Sequence, residues 1–292
     1  MFIQQLINGL AIGSVYALMT VGYSLIYSLM SFTNFAHGVV VTISAYIGFF
    51  VLTFFTPSIP LGILVSLLGG LVVSVVIELI TYRPLLLRNA RRLYLCIAGL
   101  GLSIMVENLI IVALSGRFKS YPPEVLNLGS VSLGKANVGI IDLLILGVSL
   151  VALLALELYI RKSREGLAIR GAAFSLDYAS IMGINTDGLM IKVFAIAGAL
   201  AGIAGFFCGI KYTAYPKLGG SLTNKSFISA VLGGLGSLPG AILGSFILGI
   251  LEVMVAGYVS STLRDVFSFS LLVFILLVKP TGLLGKSSED KA

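Results

Sequence analysis

Few side chains in this chain of 292 residues have the types and spacing that catalysis requires. His37 is the only histidine, and a single imidazole at a helix start is more often a hydrogen-bonded structural residue than a proton relay. No carboxylates or cysteines cluster with metal-ligand spacing, and no serine or cysteine has a base beside it in the sequence. The sequence therefore predicts no catalytic residue, no metal site and no enzymatic activity.

One stretch near the C-terminus resembles a phosphate-binding loop. Residues 280–287 are PTGLLGKS, close to the pattern G-x-x-x-x-G-K-[ST]. Pro280 stands where the first glycine belongs, and an apolar run typical of a membrane span precedes it instead of a buried strand. We therefore expect that a partner, and not this chain, binds any ATP that its function uses.

Intramembrane carboxylates are functional candidates by default because burying a charge in lipid is costly. Glu78 and Glu157 precede basic loops by about one turn, and we expect them to pair with Arg83 and Arg161 at the interface. Two further glutamates lie deeper and either brace helices or face a pathway: Glu107 and Glu252.

Two short breaks interrupt the apolar runs. The first break, residues 31–38, is SFTNFAHG, and the second break, residues 233–240, is GGLGSLPG. Interrupted segments in corresponding positions of two halves indicate a translocation path in transporters built from repeats. The alternative is that both are tight turns between helices, with glycine supplying a positive φ angle. The sequence leaves both interpretations open.

The composition predicts a membrane protein around these residues. Apolar residues make up 58% of the chain and charged residues only 11%, whereas soluble domains have about 25% charged residues. No charged side chain precedes Glu78, which leaves room for two spans and most of a third at about 20 residues each. We predict an all-α polytopic membrane protein, one domain over residues 1–292, with about eight membrane segments that include re-entrant or broken helices.

Basic residues predict the orientation. They cluster after the third span and after the fifth span, which places these segments in the cytoplasm and the N-terminus outside. The basic C-terminal tail is also cytoplasmic if the second break is re-entrant. The N-terminal placement reverses if the first break lies within the membrane. The expected spans are 5–29, 39–55, 61–82, 94–114, 138–160, 190–210, a broken segment at 227–258, and 266–278. Seven basic residues do not fit the preference of Lys and Arg for cytoplasmic segments: Arg117, Lys119, Lys135, Lys211, Lys217, Lys225 and Arg264.

The polar segment, residues 161–188, is the longest interruption between spans. Apolar residues recur in it at roughly helical spacing behind a basic front edge, which predicts a short amphipathic helix that contacts a partner on the cytoplasmic side. The apolar positions are Leu167, Ala168, Ala172, Leu176, Ala179 and Met182. Small residues at Gly9/Gly13, Gly198/Gly202 and Gly205/Gly209 predict close helix packing.

Seven stretches carry a resemblance to a known family, in the same order along nearly the whole chain. They are INGLAIGSVYAL at 7–18, NFAHG at 34–38, YRPL at 82–85, SREGLAIRGAAFSLDYASIMGIN at 163–185, FAIAGALAGIAG at 194–205, VLGGLGSLPGAILG at 231–244 and LLVKPTGLLGK at 276–286. The chain resembles the permease subunits of bacterial branched-chain amino acid ABC transporters, the LIV type. It is most similar to the first of the two paired permeases.

The resemblance implies a multi-pass permease of the bacterial cytoplasmic (inner) membrane that imports branched-chain or other hydrophobic amino acids. The implied partners are membrane lipid, a second homologous permease in a heterodimer, two cytoplasmic ATPases and an extracytoplasmic substrate-binding protein, but no nucleic acid. The ATPases would bind ATP and Mg²⁺, and this chain would hold no cofactor. The alternatives are a urea, short-amide or sugar permease on a similar scaffold, and an ion-coupled secondary transporter.

The resemblance also implies roles for particular residues. The polar segment would dock on an ATPase, and the implied contacts are Arg170, Asp177, Tyr178, Met182 and Gly183. The two breaks would line the translocation path through Asn34, His37, Gly38, Gly233, Gly234, Gly236, Pro239 and Gly240. The chain departs from the family pattern at Val39, where an acidic residue is common. It departs again at Phe174 and Ser175, which replace an acidic or amide residue followed by Asp.

Overall fold

The structure, a computed structural model, describes residues 2–126, 129–133 and 136–285. Eight helical stretches are long and apolar enough to cross a membrane, as predicted. The α-helices are α1 (Phe2–Met30), α2 (His37–Phe54), α3 (Ile59–Ile77), α4 (Arg83–Leu87), α5 (Arg92–Leu114), α6 (Pro123–Leu126), α7 (Ile140–Lys162), α8 (Arg164–Phe174), α9 (Leu176–Ile181), α10 (Thr186–Tyr212), α11 (Leu218–Gly233), α12 (Leu238–Tyr258) and α13 (Arg264–Val278). A π-helical turn (Glu78–Tyr82) joins α3 to α4, and a 3₁₀ turn (Ser261–Leu263) precedes α13.

The loop after α5 contains a short antiparallel hairpin that the all-α prediction did not include. Its strands are β1 (Ser130–Leu133) and β2 (Ala136–Gly139), and Val131 pairs with Val138. The hairpin lies outside the membrane-spanning helices and leaves the helical class unchanged.

The helices α1 and α10 form the centre of the bundle, and most of their side chains are buried. Glycines bring their backbones close to the neighbouring helices. A β-carbon on Gly9 would lie 2.8 Å from the Cα of Ile250 in α12, and one on Gly198 would lie 2.5 Å from the carbonyl oxygen of Gly70 in α3. The structure thus confirms close packing at these predicted small-residue pairs.

The start of the first break, the polar segment and the second break lie at one end of the bundle. Residues from all three line one cleft, among them Ser31, Phe174 and Gly236. Because α1 ends at Met30 beside this cleft, its other end, at Phe2, lies at the opposite end of the bundle. This arrangement agrees with the predicted orientation, in which the polar segment is cytoplasmic and the N-terminus is outside.

The second break is a tight turn between α11 and α12, one of the two interpretations that the sequence left open. Only residues 234–237 separate α11 from α12, and Gly234 and Gly236 have φ angles of +108° and +83°. Glycine adopts this region without steric cost. Ser237 accepts a hydrogen bond from the Gly240 amide at 3.3 Å and so caps α12.

The stretch that resembles a phosphate-binding loop caps α11. The amide of Leu283 donates to the carbonyl of Leu232 at 2.9 Å, and the amide of Leu284 donates to the carbonyl of Gly233 at 2.9 Å. The last carbonyls of a helix lack partners within the helix. The described part of this stretch, through residue 285, therefore completes the end of α11; the remainder, 286–287, lies outside the described residues.

Candidate functional site

The polar segment contains two helices, where one was predicted. Ser175 has extended backbone angles (φ −161°, ψ 123°) and separates α8 from α9. Its hydroxyl accepts a hydrogen bond from the Tyr178 amide at 3.4 Å, so this departure from the family pattern serves as the N-cap of α9. Ser163 caps α8 in the same way through the Gly166 amide at 2.8 Å.

Charged side chains attach α8 to the membrane helices. The Arg170 guanidinium donates a hydrogen bond to the carbonyl of Ile160, near the end of α7. The Glu165 carboxylate accepts hydrogen bonds from Lys192 of α10 and from the Tyr159 hydroxyl of α7. The hydrogen bond from Lys192 has the larger effect, and together with the bond from Tyr159 it lowers the pKa of the Glu165 carboxyl from its ordinary value. The segment is therefore fixed to both α7 and α10.

An exposed apolar face covers the outer side of the polar segment: Phe174, Tyr178, Ile181 and Met182. The exposed fractions of these residues are 61%, 66%, 80% and 83%. The side toward the bundle is formed by small or aliphatic residues such as Ala172 and Ala179, which are buried. Large apolar side chains exposed together outside the membrane indicate a protein contact.

The predicted apolar stripe of the polar segment is therefore wrong in part. Ala172 and Ala179 face the bundle, but Leu167 and Met182 are exposed. Leu167 lies in α8 with Ala172, and Met182 directly follows α9 with Ala179, so each short helix has its own buried side and its own exposed side.

Gly183 ends α9 in a left-handed conformation with φ +82°. Its amide donates to the carbonyl of Ser180, and the Ile184 amide donates to the carbonyl of Ala179, both at 3.0 Å. This is the Schellman arrangement, which favours glycine. A β-carbon here would meet nothing within 4 Å, so the conformation and not the space requires glycine.

The predicted coupling residues take different positions in this arrangement. Tyr178 and Met182 belong to the exposed apolar face, Asp177 is exposed in the first turn of α9, and Gly183 fixes the end of that helix. Arg170 instead braces α8 against α7. The predicted coupling residues did not include Phe174 or Ile181, which also belong to the exposed apolar face. Phe174 is one of the departures from the family pattern.

Asn34 holds the first break together. Its side-chain oxygen accepts hydrogen bonds from the Ala36 amide at 3.1 Å and from the Tyr82 hydroxyl at 2.6 Å. Tyr82 lies in the π-helical turn after α3, a distortion that is frequent at functional sites. Gly99 of α5 leaves room for this hydroxyl, since a β-carbon there would lie 2.6 Å from it.

His37 is buried at the start of α2 and does not meet the expectation of a hydrogen-bonded residue. Its exposed fraction is 1%, and neither ring nitrogen has a hydrogen-bond partner among the residues that the structure describes. Its ring packs edge-on against Tyr23, with 6.5 Å between ring centroids.

Gly38 brings the first break against the start of α11. A β-carbon on Gly38 would lie 2.7 Å from the carbonyl carbon of Gly219 and would collide with the Thr223 hydroxyl. The Gly219 amide donates to the Thr42 hydroxyl at 2.9 Å, which joins α2 to α11.

The two breaks do not form one site within this chain. The first contacts the N-terminal turn of α11, whereas the second follows its C-terminal end. A helix of 16 residues spans about 24 Å. In the second break, Gly233 and Gly240 pack backbone to backbone, and Pro239 is exposed in the first turn of α12.

Three of the lysines that disagreed with the orientation bias form ion pairs with carboxylates of the spans. Lys225 lies 2.6 Å from Glu252, which also accepts hydrogen bonds from the hydroxyls of Tyr16 at 2.8 Å and Ser268 at 3.0 Å. This buried network joins α1, α11, α12 and α13, so Glu252 braces helices. The other two pairs are Lys211 with Asp142, and Lys217 with Glu107 at 3.6 Å.

Of the two interfacial pairs that the sequence predicted, one is confirmed and one is wrong. Arg161 lies 2.7 Å from Glu157, as expected. Arg83 instead pairs with Asp187 at 3.4 Å, which ties the start of α4 to the start of α10. Glu78 is buried, and one of its carboxylate oxygens has no hydrogen-bond partner within the described ranges.

Comparison with known proteins places this helical bundle in a family. Residues 5–276 match the family described as branched-chain amino acid transport system, permease component. The chain is 37% identical over 306 residues to the high-affinity branched-chain amino acid transport system permease protein LivH of Salmonella typhimurium, covering 99% of this chain and 97% of the relative. LivH of Escherichia coli K12 is 37% identical over 303 residues, with the same coverage.

A third relative extends the comparison. The permease protein BraD of Pseudomonas aeruginosa is 35% identical over 302 residues, covering 99% of this chain and 98% of the relative. No solved structure matches the chain. The family match and the eight span-capable helices agree with the architecture described above. The chain therefore belongs to the family of branched-chain amino acid transport system permease components.

Proposed function

We propose that this chain is the transmembrane permease subunit of an ATP-driven importer for branched-chain or other hydrophobic amino acids. The observation that carries the proposal is the near-full-length match to LivH and BraD permease proteins. The chain is a multi-pass membrane protein and a transporter subunit, not an enzyme. It forms half of the path, and a second homologous permease supplies the other half. An extracytoplasmic binding protein delivers the substrate.

The exposed apolar face of the polar segment supports docking of a cytoplasmic ATPase. Its four large side chains lie on a segment that is capped at Ser163 and Ser175 and fixed to the bundle. A contact surface on a rigid support avoids the cost of ordering it when the partner binds. A carrier that works alone with an ion gradient needs no such surface.

The contacts of the polar segment also provide a route for motion. When the ATPase pair closes on ATP, a displacement of α9 and α8 passes to α7 through the Arg170 bond. It passes to α10 through the bond between Glu165 and Lys192. The membrane helices then rock and open the path alternately to the two sides. Coupled in this way, the chain carries out no bond chemistry and binds no ATP of its own.

Changing Met182 to glutamate tests the docking proposal. Met182 is 83% exposed, so the change leaves the fold intact but places a charge in the apolar contact. We expect ATPase binding to weaken by at least about 30-fold, since central apolar contacts each contribute about 2 kcal/mol or more. Co-purification of co-expressed candidate ATPases with the tagged chain measures the effect.

Leu87→Glu is the matched control, because Leu87 is 71% exposed near the same end of the bundle but outside the exposed apolar face. It should retain the ATPases at the native level. Native ATPase recovery with Met182→Glu would contradict the docking surface. Substrate movement by the chain alone, in vesicles with an ion gradient and no ATPase, would contradict the importer itself.

A further inference from the structure

A largely apolar cavity lies between α7 and α12, at the end of the bundle that carries the polar segment. Both helices pack against α1, and Val21 of α1 forms part of the cavity wall. The cavity has a volume of about 180 Å³. Apolar cavities of about 150 Å³ hold a molecule the size of benzene, so this one has room for several methylene groups. The other apolar residues of the wall are Leu153, Leu156, Ile160, Leu238, Pro239 and Ile242.

Three charged side chains line the same cavity: Glu157, Arg161 and Arg170. Arg161 lies 2.7 Å from Glu157, and the Arg161 side chain is mostly exposed. Arg170 donates a hydrogen bond to the carbonyl of Ile160 and forms no ion pair with any carboxylate of the described residues. A guanidinium has several N–H donors, so Arg170 keeps donors for a second acceptor. The wall therefore has an excess of one positive charge at the end of the bundle that is predicted to be cytoplasmic.

Arg170 also lines the cleft that the polar segment shares with the two breaks. This cleft has a volume of about 380 Å³, and Ser28 and Ser31 contribute hydroxyl groups to its wall. The guanidinium of Arg170 thus lies between an apolar cavity and a cleft with polar side chains. A molecule that fits both would have an anionic group between an apolar part and a polar part.

The surface beside the apolar cavity is suited to lipid. Leu154 and Leu158 of α7 are exposed, as is Leu243 of α12. Aliphatic side chains such as these are as apolar as the acyl chains of a bilayer. A lipid can therefore approach the cavity without passing a polar surface. Basic pockets between membrane helices on the cytoplasmic side are known to bind anionic headgroups.

We propose that this cavity binds an anionic phospholipid of the cytoplasmic leaflet. Its phosphate accepts hydrogen bonds from Arg161 and Arg170, and part of one acyl chain fills the space between α7 and α12. The rest of the headgroup extends toward the hydroxyls of Ser28 and Ser31. Because Arg170 also holds α8 against α7, the bound lipid joins the polar segment to the bilayer. The inference goes beyond the proposed function and depends only on the membrane location of the chain.

Binding of dioleoylphosphatidylglycerol to the purified full-length chain tests the site, and native mass spectrometry measures it. Dioleoylphosphatidylcholine, with the same acyl chains and no net charge, is the reference lipid. We expect the native chain to bind the anionic lipid at least about 10-fold more tightly, the order of effect of one hydrogen bond to a charged group. Arg161→Gln and Arg170→Gln should each raise the Kd for the anionic lipid about 10-fold.

Lys162→Gln is the matched control for the lost charge. Lys162 is exposed next to Arg161 in the last turn of α7, but it does not line the cavity. This variant should bind phosphatidylglycerol with native affinity. An equal loss in Lys162→Gln and Arg161→Gln would show a diffuse attraction between the basic segment and anionic lipid, and would overturn the site.

A second pair of variants tests the apolar part of the site. Ile242→Trp places a larger side chain in the cavity and should weaken phosphatidylglycerol binding about 10-fold, the effect of displacing one or two methylene groups. Ile247→Trp, on the same helix but outside the cavity wall, should bind natively. Native binding by Ile242→Trp would overturn the proposal, as would displacement of the lipid by the free headgroup, glycerophosphoglycerol. Because Arg170 also braces α8, the Arg161 and Ile242 variants decide the proposal if Arg170→Gln does not fold.

The final measurement uses the complete transporter, with its ATPases, second permease and binding protein. It should retain phosphatidylglycerol with the same preference and lose that preference in Arg161→Gln. Binding by the isolated chain but not by the transporter would show that the second permease covers the cavity, and would overturn the proposal. Lipid binding is measured without substrate, so a transporter that takes up no branched-chain amino acid would contradict the proposed function and leave this site unaffected.

Discussion

Replacing Lys225 with methionine is expected to lower the free energy of unfolding by about 3–5 kcal/mol. The change leaves the Glu252 carboxylate buried, at 1% exposure, with two neutral hydroxyl donors and no cation within hydrogen-bond distance in the described part of the chain. An uncompensated buried charge is far more costly than the ion pair itself is stabilising. Because the network joins α1, α11, α12 and α13, the loss affects several helix contacts together.

Thermal unfolding followed with a thiol-reactive dye measures this effect, because Cys208 is buried in the native fold and becomes reactive on unfolding. The double variant Lys225→Met, Glu252→Gln should recover most of the loss, since removing both charges leaves none uncompensated. Asp265→Asn is the control, because Asp265 contacts the same lysine at 3.3 Å but is 70% exposed. Equal stability losses in the double variant and in Lys225→Met would contradict the explanation.

The membrane helices could be predicted because apolar runs of span length are visible without any partner. The ion pairs could not. Lys225 and Glu252 are 27 residues apart on different helices, and neither position has a local signal that identifies the other. Counted as loop charges, Lys211, Lys217 and Lys225 weakened the predicted orientation, although all three form ion pairs with carboxylates of the spans.

The start of α11 was predicted nine residues too late, and its polar residues explain why. Residues 218–226 contain glycine, serine, threonine, asparagine and lysine, which favour a loop in sequence. In the fold, Thr223 and Ser226 donate to the carbonyls of Gly219 and Leu222 at 2.8 and 2.9 Å. A tertiary contact also stabilises the start of this helix, because Gly219 packs against the backbone of Gly38 in α2. Only the folded neighbours show why a helix forms there.

The candidate site, too, could be predicted from the sequence only where it does not depend on tertiary contacts. The polar segment was located correctly because its charge and its flanking spans define it, and the structure adds which side chains face outward. The change of direction at Ser175 depends on a single cap, which the helical spacing of the apolar residues does not reveal. The ion pair of Glu107 in α5 with Lys217, just before α11, joins residues far apart in the chain, so no sequence window contains it.

Replacing Gly38 with leucine is expected to lower the free energy of unfolding by about 3 kcal/mol, at the upper end of typical overpacking costs. The added β-carbon would lie 2.7 Å from the carbonyl carbon of Gly219, and backbone cannot rotate away as a side chain does. Relief requires α2 to move away from α11 at the first break, which the family resemblance assigns to the translocation path. L-leucine uptake by the complete transporter should therefore fall together with stability.

Gly147→Leu in α7 is the matched control, because a β-carbon there meets nothing within 4 Å. Leucine favours a helix over glycine by roughly 0.5–1 kcal/mol, so this variant should be as stable as the native chain or slightly more stable. Removing the Thr223 side chain from the Gly38→Leu variant should restore little, since the backbone of Gly219 remains in place. Full recovery in Gly38→Leu, Thr223→Ala would show that the side chain, and not the contact between the two backbones, sets the distance between α2 and α11.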